Sequence, residues 1–89
     1  MSPEREVLDQ LLGGDMPLGV MASLFPDEAH ARRAIAAMLA AGELKLFDAE
    51  GTALSPWQLR ELERQPSSWR ADTQYRLAIT DAGVRRFGG

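Results

Sequence analysis

The sequence contains no cysteine and no asparagine, and it has one histidine (His30), one lysine (Lys45) and one tyrosine (Tyr75). Without cysteine neither a disulfide nor a metal cage of the nitrogen–sulfur kind can be assembled, and no metal or cofactor is expected. The longest apolar run, Ala34 to Ala41, falls well short of the roughly 20 residues a membrane helix needs. No basic-then-apolar leader opens the sequence, so a cytoplasmic protein with no membrane partner is expected. The groups that do chemistry are equally scarce. His30 stands alone on an alanine-rich stretch, and Asp27 and Glu28 are adjacent, so they cannot face each other across a substrate. Gly13-Gly14 lacks the lysine of a phosphate loop. No residue is assigned a catalytic role, and no enzyme is expected.

What is present is ordinary for a globular chain: 89 residues, 45% hydrophobic and 26% charged. One domain over residues 1–89 is expected, burying roughly 60–65% of its unfolded surface in one small core. The net charge of −3 conceals a division along the chain. Up to Glu50 nine acids stand against four bases, a net −5, and from Gly51 four acids stand against six bases, a net +2. An anionic partner should therefore meet the second half first.

Local chemistry marks the elements. Ser2-Pro3-Glu4 is a helix start, with Val7, Leu8, Leu11 and Leu12 forming an apolar stripe and Gly13-Gly14 ending it. Asp15 is read as the cap of a short second helix from about Pro17 to Leu24, broken at Phe25-Pro26. A third helix spans about Asp27 to Ala41 and closes at Gly42. At about 100° per residue, Ala31, Ile35, Met38 and Leu39 share its inner side. His30, Arg33, Ala37 and Ala40 point outward, with Arg32 and Ala36 on one flank. Leu44 and Leu46 alternate with Glu43 and Lys45 as a strand, and Asp48 to Gly51 is a turn. Ser55-Pro56 opens a fourth helix, which Pro66 stops, and Ser67 to Gln74 is irregular around Trp69. Tyr75, Leu77 and Ile79 alternate as a second strand, and Thr80 caps a last short helix carrying Val84 and Phe87.

Two segments carry a family likeness. Ala34 to Leu44 is similar to a recognition helix running through glycine into a first wing strand. Ile79-Thr80-Asp81-Ala82-Gly83 is similar to the "L-T-x-x-G" step from a returning strand into a closing helix. In this order they resemble the winged-helix superfamily of DNA-binding domains. The resemblance implies an α+β, mainly α fold: a three-helix bundle, a two-stranded antiparallel wing and a short C-terminal helix. The departure is the wing itself, where an insertion of about residues 50–74 is expected from its caps to hold a helix, built on Trp57 and Trp69.

The resemblance further implies transcriptional regulation through double-stranded DNA, with His30, Arg32 and Arg33 of the third helix at the groove. Phosphate contacts are then expected from Arg60, Arg64, Arg70 and Arg76. The residues themselves leave a second reading open. Acids at the start of the third helix repel phosphates, and an alanine face suits helix packing. A homodimer or a protein partner is thus the alternative, with Ala37, Trp57 and Trp69 as candidate interface residues. Either both tryptophans fasten the insertion to the body, or one is an exposed anchor, Trp69-Arg70 being such a pair.

Overall fold

The computed structural model describes Ser2 to Gln65 and Ser67 to Gly88. Its elements are α1 (Pro3–Leu11), β1 (Met16–Pro17), α2 (Leu18–Ala22), α3 (Glu28–Ala40), β2 (Leu44–Phe47), α4 (Pro56–Arg64), β3 (Arg76–Ile79) and α5 (Asp81–Gly88), with a 3-10 helix at Trp69–Ala71 before β3. The described residues form an α+β structure of five helices and a three-stranded antiparallel sheet ordered β1-β3-β2. No described helix is long and apolar enough to cross a membrane.

The helix starts follow from side-chain chemistry. The free amides of a first turn need acceptors, and Ser2, Asp27 and Ser55 supply them to Arg5, His30 and Gln58. At Ser55 the cap is reciprocal, because the Gln58 side chain accepts from the Ser55 backbone N–H at 2.8 Å. The second helix departs from expectation. It is shorter, Leu18–Ala22, and Pro17 rather than Asp15 stands at its cap, with no side-chain bond. Met16–Pro17 instead pairs with Leu77 and Arg76 of β3, so the sheet has three strands where two were expected. Pro66, expected to stop α4, lies outside the described residues.

Strands β2 and β3 pair from Leu44↔Ile79 to Phe47↔Arg76. This register puts Leu44, Leu46 and Leu77 inside, at 3% exposure or less. The turn before β2 is gripped by the chain that leaves β3. Gly42 adopts φ +76°, a backbone open chiefly to glycine. The Thr80 hydroxyl donates to the Gly42 carbonyl at 2.5 Å and accepts from the Gly83 N–H at 3.2 Å. A Cβ on Gly83 would overlap the Glu43 carbonyl oxygen, so glycine is what lets α5 lie against this turn. Arg86 adds an ion pair to Glu43 at 2.5 Å. The threonine and glycine of the Ile79–Gly83 motif therefore have one common task, to dock α5 on the α3–β2 turn.

One hydrophobic cluster runs through these elements. Val7, Leu8 and Leu11 of α1, Leu18 and Met21 of α2, and Ile35 and Met38 of α3 meet the inner strand residues. Leu62 of α4 and Trp69 join the same cluster. The connection between β2 and β3 is thus folded onto the body. It begins with a reversal in which Asp48 Oδ1 accepts the N–H groups of Glu50 and Thr52. Ala53 and Leu54 then run back along the outer edge of β2, with Leu54 N–H donating to the Leu46 carbonyl at 2.9 Å. That strip covers the far half of an edge strand that would otherwise present unpaired backbone groups.

Candidate functional site

The expected reading surface lies on the third helix. Ala31, Ile35 and Met38 are buried, as the spacing predicts, while Ala29, Arg33, Ala37 and Ala40 are exposed. His30 does not join that face. Its Nε2 lies 3.6 Å from a Glu4 carboxylate oxygen on α1, and its ring rests against Phe25 with centroids 5.2 Å apart.

Arg32 is spent inside the fold. A helix end leaves carbonyls without partners and a negative dipole end, and the α4 terminus meets a guanidinium there. Arg32 Nη1 donates to the Glu63 carbonyl at 2.8 Å, and Nη2 donates to the Ser67 carbonyl. Its Nε donates to Glu28 at 3.2 Å, and its plane stands 5.0 Å from the Trp69 ring centroid. Glu28 in turn accepts the Trp69 backbone N–H at 2.5 Å and the Ser68 hydroxyl at 3.4 Å. Glu28 and Arg32 therefore form a clasp that fastens the β2–β3 connection to α3. Their one-turn spacing, acid before base, was visible in the sequence as a favourable helix pair. The long-range half of the arrangement was not.

Of the three expected groove residues only Arg33 stands exposed and without a partner among the described residues. The two neighbours should separate in a stability measurement. Arg32→Ala removes the α4 cap and leaves Glu28 without its cation, and should cost about 2–3 kcal/mol. Arg33→Ala should stay within roughly 0.5 kcal/mol of wild type. Urea midpoints of the two variants, compared at equal slope, check this.

The expected phosphate contacts divide as well. Arg76 donates to the Asp15 carbonyl at 2.9 Å across the β1–β3 pair. Arg60, Arg64 and Arg70 are exposed, with no partner among the described residues. Arg60 and Arg64 share the outer side of α4, opposite Leu62. Arg70 belongs elsewhere, bordering a shallow groove with Val20 of α2 and Ser23 just beyond it.

The tryptophans separate completely. Trp69 is 2% exposed, and its indole N–H donates to the Leu62 carbonyl at 3.3 Å. It offers no area to a partner, so its place among the interface candidates is corrected to that of a core residue. Trp57 is 63% exposed, well above the other large apolar side chains on the surface, Leu12, Val20 and Val84, at 44–45%. Its position on α4 explains this. Leu59 and Leu62 form the inner side of the helix, and Trp57 lies more than a third of a turn from Leu62 on the outer side. Beside it runs a groove of about 310 Å³, floored by Leu54, Leu62 and Tyr75 and bordered by Asp48 and Glu61. Ala37, the remaining interface candidate, is exposed on α3.

Among the described residues no group of histidine, aspartate or glutamate side chains is placed to hold a metal ion. No protein-family model, no curated protein and no solved structure matches this chain.

Proposed function

We propose that this chain is a winged-helix domain that acts by docking a protein partner, through the outer side of its wing insertion around Trp57. The winged-helix assignment is supported by the order of three helices, a β2–β3 pair and a closing helix, and by the docking of Thr80 and Gly83 on the α3–β2 turn. The observation that carries the docking reading is the 63% exposure of Trp57 on a helix with a fixed seat. Its start is locked by the Ser55–Gln58 capping box, its end is held by Arg32, and Leu62 is in the core. Covering the exposed part of such an indole, roughly 150 Å², would be worth about 3–4 kcal/mol to a complex. A rigid aromatic flanked by arginines is the composition of an interface hot spot.

The test is retention of a partner by the tagged full chain in cells of origin, compared across single variants. Trp57→Ala should lower recovery of a discrete co-purifying protein at least tenfold, and Arg33→Ala should leave it unchanged. Equal recovery with Trp57→Ala, or no co-purifying protein with wild type, contradicts the docking reading.

A second reading, double-stranded DNA, rests on a different observation, the guanidinium of Arg33 on the exposed side of α3 together with Arg60, Arg64 and Arg70, all exposed and without a partner among the described residues. It requires a mobility shift of mixed duplexes at low salt that falls steeply as salt rises and falls again with Arg33→Ala. No shift at low salt removes it.

A further inference from the structure

The groove beside Trp57 has a charge pattern of its own. Asp48 and Glu61 border it, and among the described residues no basic side chain lines it. Asp48 uses one carboxylate oxygen, Oδ1, to hold its own turn, and Glu61 has no hydrogen-bond or ion-pair partner among the described residues. The same groove is lined by the aromatic rings of Trp57 and Tyr75 and by the apolar side chains of Leu54 and Leu62. Arg60 and Arg64 lie on the neighbouring outer side of α4 and do not line the groove.

We infer that this groove receives a cationic side chain, an arginine or a lysine, from the docked protein segment, an inference that rests on the docking reading above. The chemistry is specific in sign. A cation over an indole or phenol face is attracted by the ring quadrupole, and its charged end reaches a carboxylate at the rim. An acidic side chain in the same place would meet two carboxylates and no counter-charge. The apolar floor accepts the methylene stem, which is how long basic side chains are normally accommodated. At the start of α4 the Gln58 amide is already taken by the Ser55 hydroxyl and the Ser55 amide by the Gln58 side chain, which lessens the opposition to a cation there. Arg60 and Arg64 narrow the choice further. They repel a run of bases, so the segment that fits carries one or two cations framed by apolar or acidic residues.

Phage-displayed random heptapeptides selected on the immobilised full chain, with counter-selection on Trp57→Ala, test the inference. Winners are expected to place an arginine or lysine beside an apolar residue. Binding of a synthesised winner, read by fluorescence anisotropy, should weaken about tenfold with Glu61→Gln. It should weaken comparably when the peptide arginine is replaced by citrulline, and it should weaken as salt is raised. Glu61 is exposed, and an unchanged melting temperature of the Glu61→Gln variant verifies that the fold is intact. Acidic winners that depend on Arg60 and Arg64 would overturn the inference and leave the docking reading standing. Basic winners indifferent to Glu61→Gln would also overturn it. No winners above the Trp57→Ala background would overturn both, as would a duplex oligonucleotide that binds wild type and Trp57→Ala equally and displaces the peptide.

Discussion

Trp69→Ala lowers the melting temperature by roughly 15–30 °C, the largest effect expected of any single truncation in this chain. Trp69 belongs to a loop-like stretch by sequence, yet it is 2% exposed and shares one cluster with Leu62, Ile35 and Met38. Truncating a buried tryptophan removes its transfer free energy and leaves a cavity that the surroundings only partly fill, about 3–5 kcal/mol in all. Three further losses act in the same direction. The Leu62 carbonyl loses the indole donor, Arg32 loses the ring beneath it, and the clasp that holds the end of α4 loosens. For a domain of this size the total is comparable to the whole folding free energy. Circular dichroism melts of wild type and variant provide the test. A shift under about 5 °C would mean that the β2–β3 connection is not an integral part of the core.

The second large effect is expected at Gly19. A Cβ there would overlap the Asp72 carbonyl oxygen and come within 3.0 Å of the Arg70 carbonyl oxygen and 3.1 Å of the Asp72 nitrogen. These are backbone atoms and cannot rotate aside, so the 3-10 helix at Trp69–Ala71 must lift from α2. The Gly19 N–H also donates to the Asp72 carbonyl at 3.1 Å, a bond that the displacement stretches. Alanine is the better helix former by about 0.5–1 kcal/mol, which offsets only part of the overpacking. Gly19→Ala should cost about 2–3 kcal/mol net. Gly88→Ala is the matched control, since a Cβ at Gly88 meets nothing within 4 Å and should leave the midpoint near wild type. Chemical unfolding of both variants distinguishes a steric lock from a general sensitivity to added methyl groups.

Where an element is made by its own neighbours, the sequence was a sufficient guide. The starts of α1, α3 and α4 fall where Ser2, Asp27 and Ser55 put them, because a cap needs only the amides of the next turn. The inner side of α3 follows from spacing alone, since Ala31, Ile35 and Met38 recur at helical period. Strand β1 was not legible. Two residues, one of them proline, carry no strand signal, and Met16–Pro17 is a strand only because β3 lies alongside.

The functional residues show the same boundary. Helical spacing puts Arg33 on the outer side of α3 and Arg32 on its flank, but nothing local shows that Arg32 caps a helix thirty-one residues further along the chain while Arg33 faces solvent. His30, still partly exposed, leans against Phe25 and toward Glu4, and no local pattern announces that meeting. The charge division is softened for a related reason. Glu43 of the acidic half is paired with Arg86 of the basic half, so the two halves partly neutralise each other in the fold. Of the two tryptophans, composition established that aromatic area was present in the connection. Only the packing of Leu62 and Trp69 determined which ring is covered.

Trp57 and the groove beside it are the proposed partner surface of this domain. The most direct measurement is a two-dimensional amide and indole spectrum of the isotopically labelled full chain, titrated with the selected peptide or the captured partner. Shifts are expected to concentrate on the Trp57 indole N–H and on the amides of Leu54, Glu61 and Tyr75, with the Trp69 indole N–H nearly unmoved. Shifts centred on Ala29, Arg33 and Ala37 of α3, with Trp57 unaffected, would contradict it and return the function to the third helix.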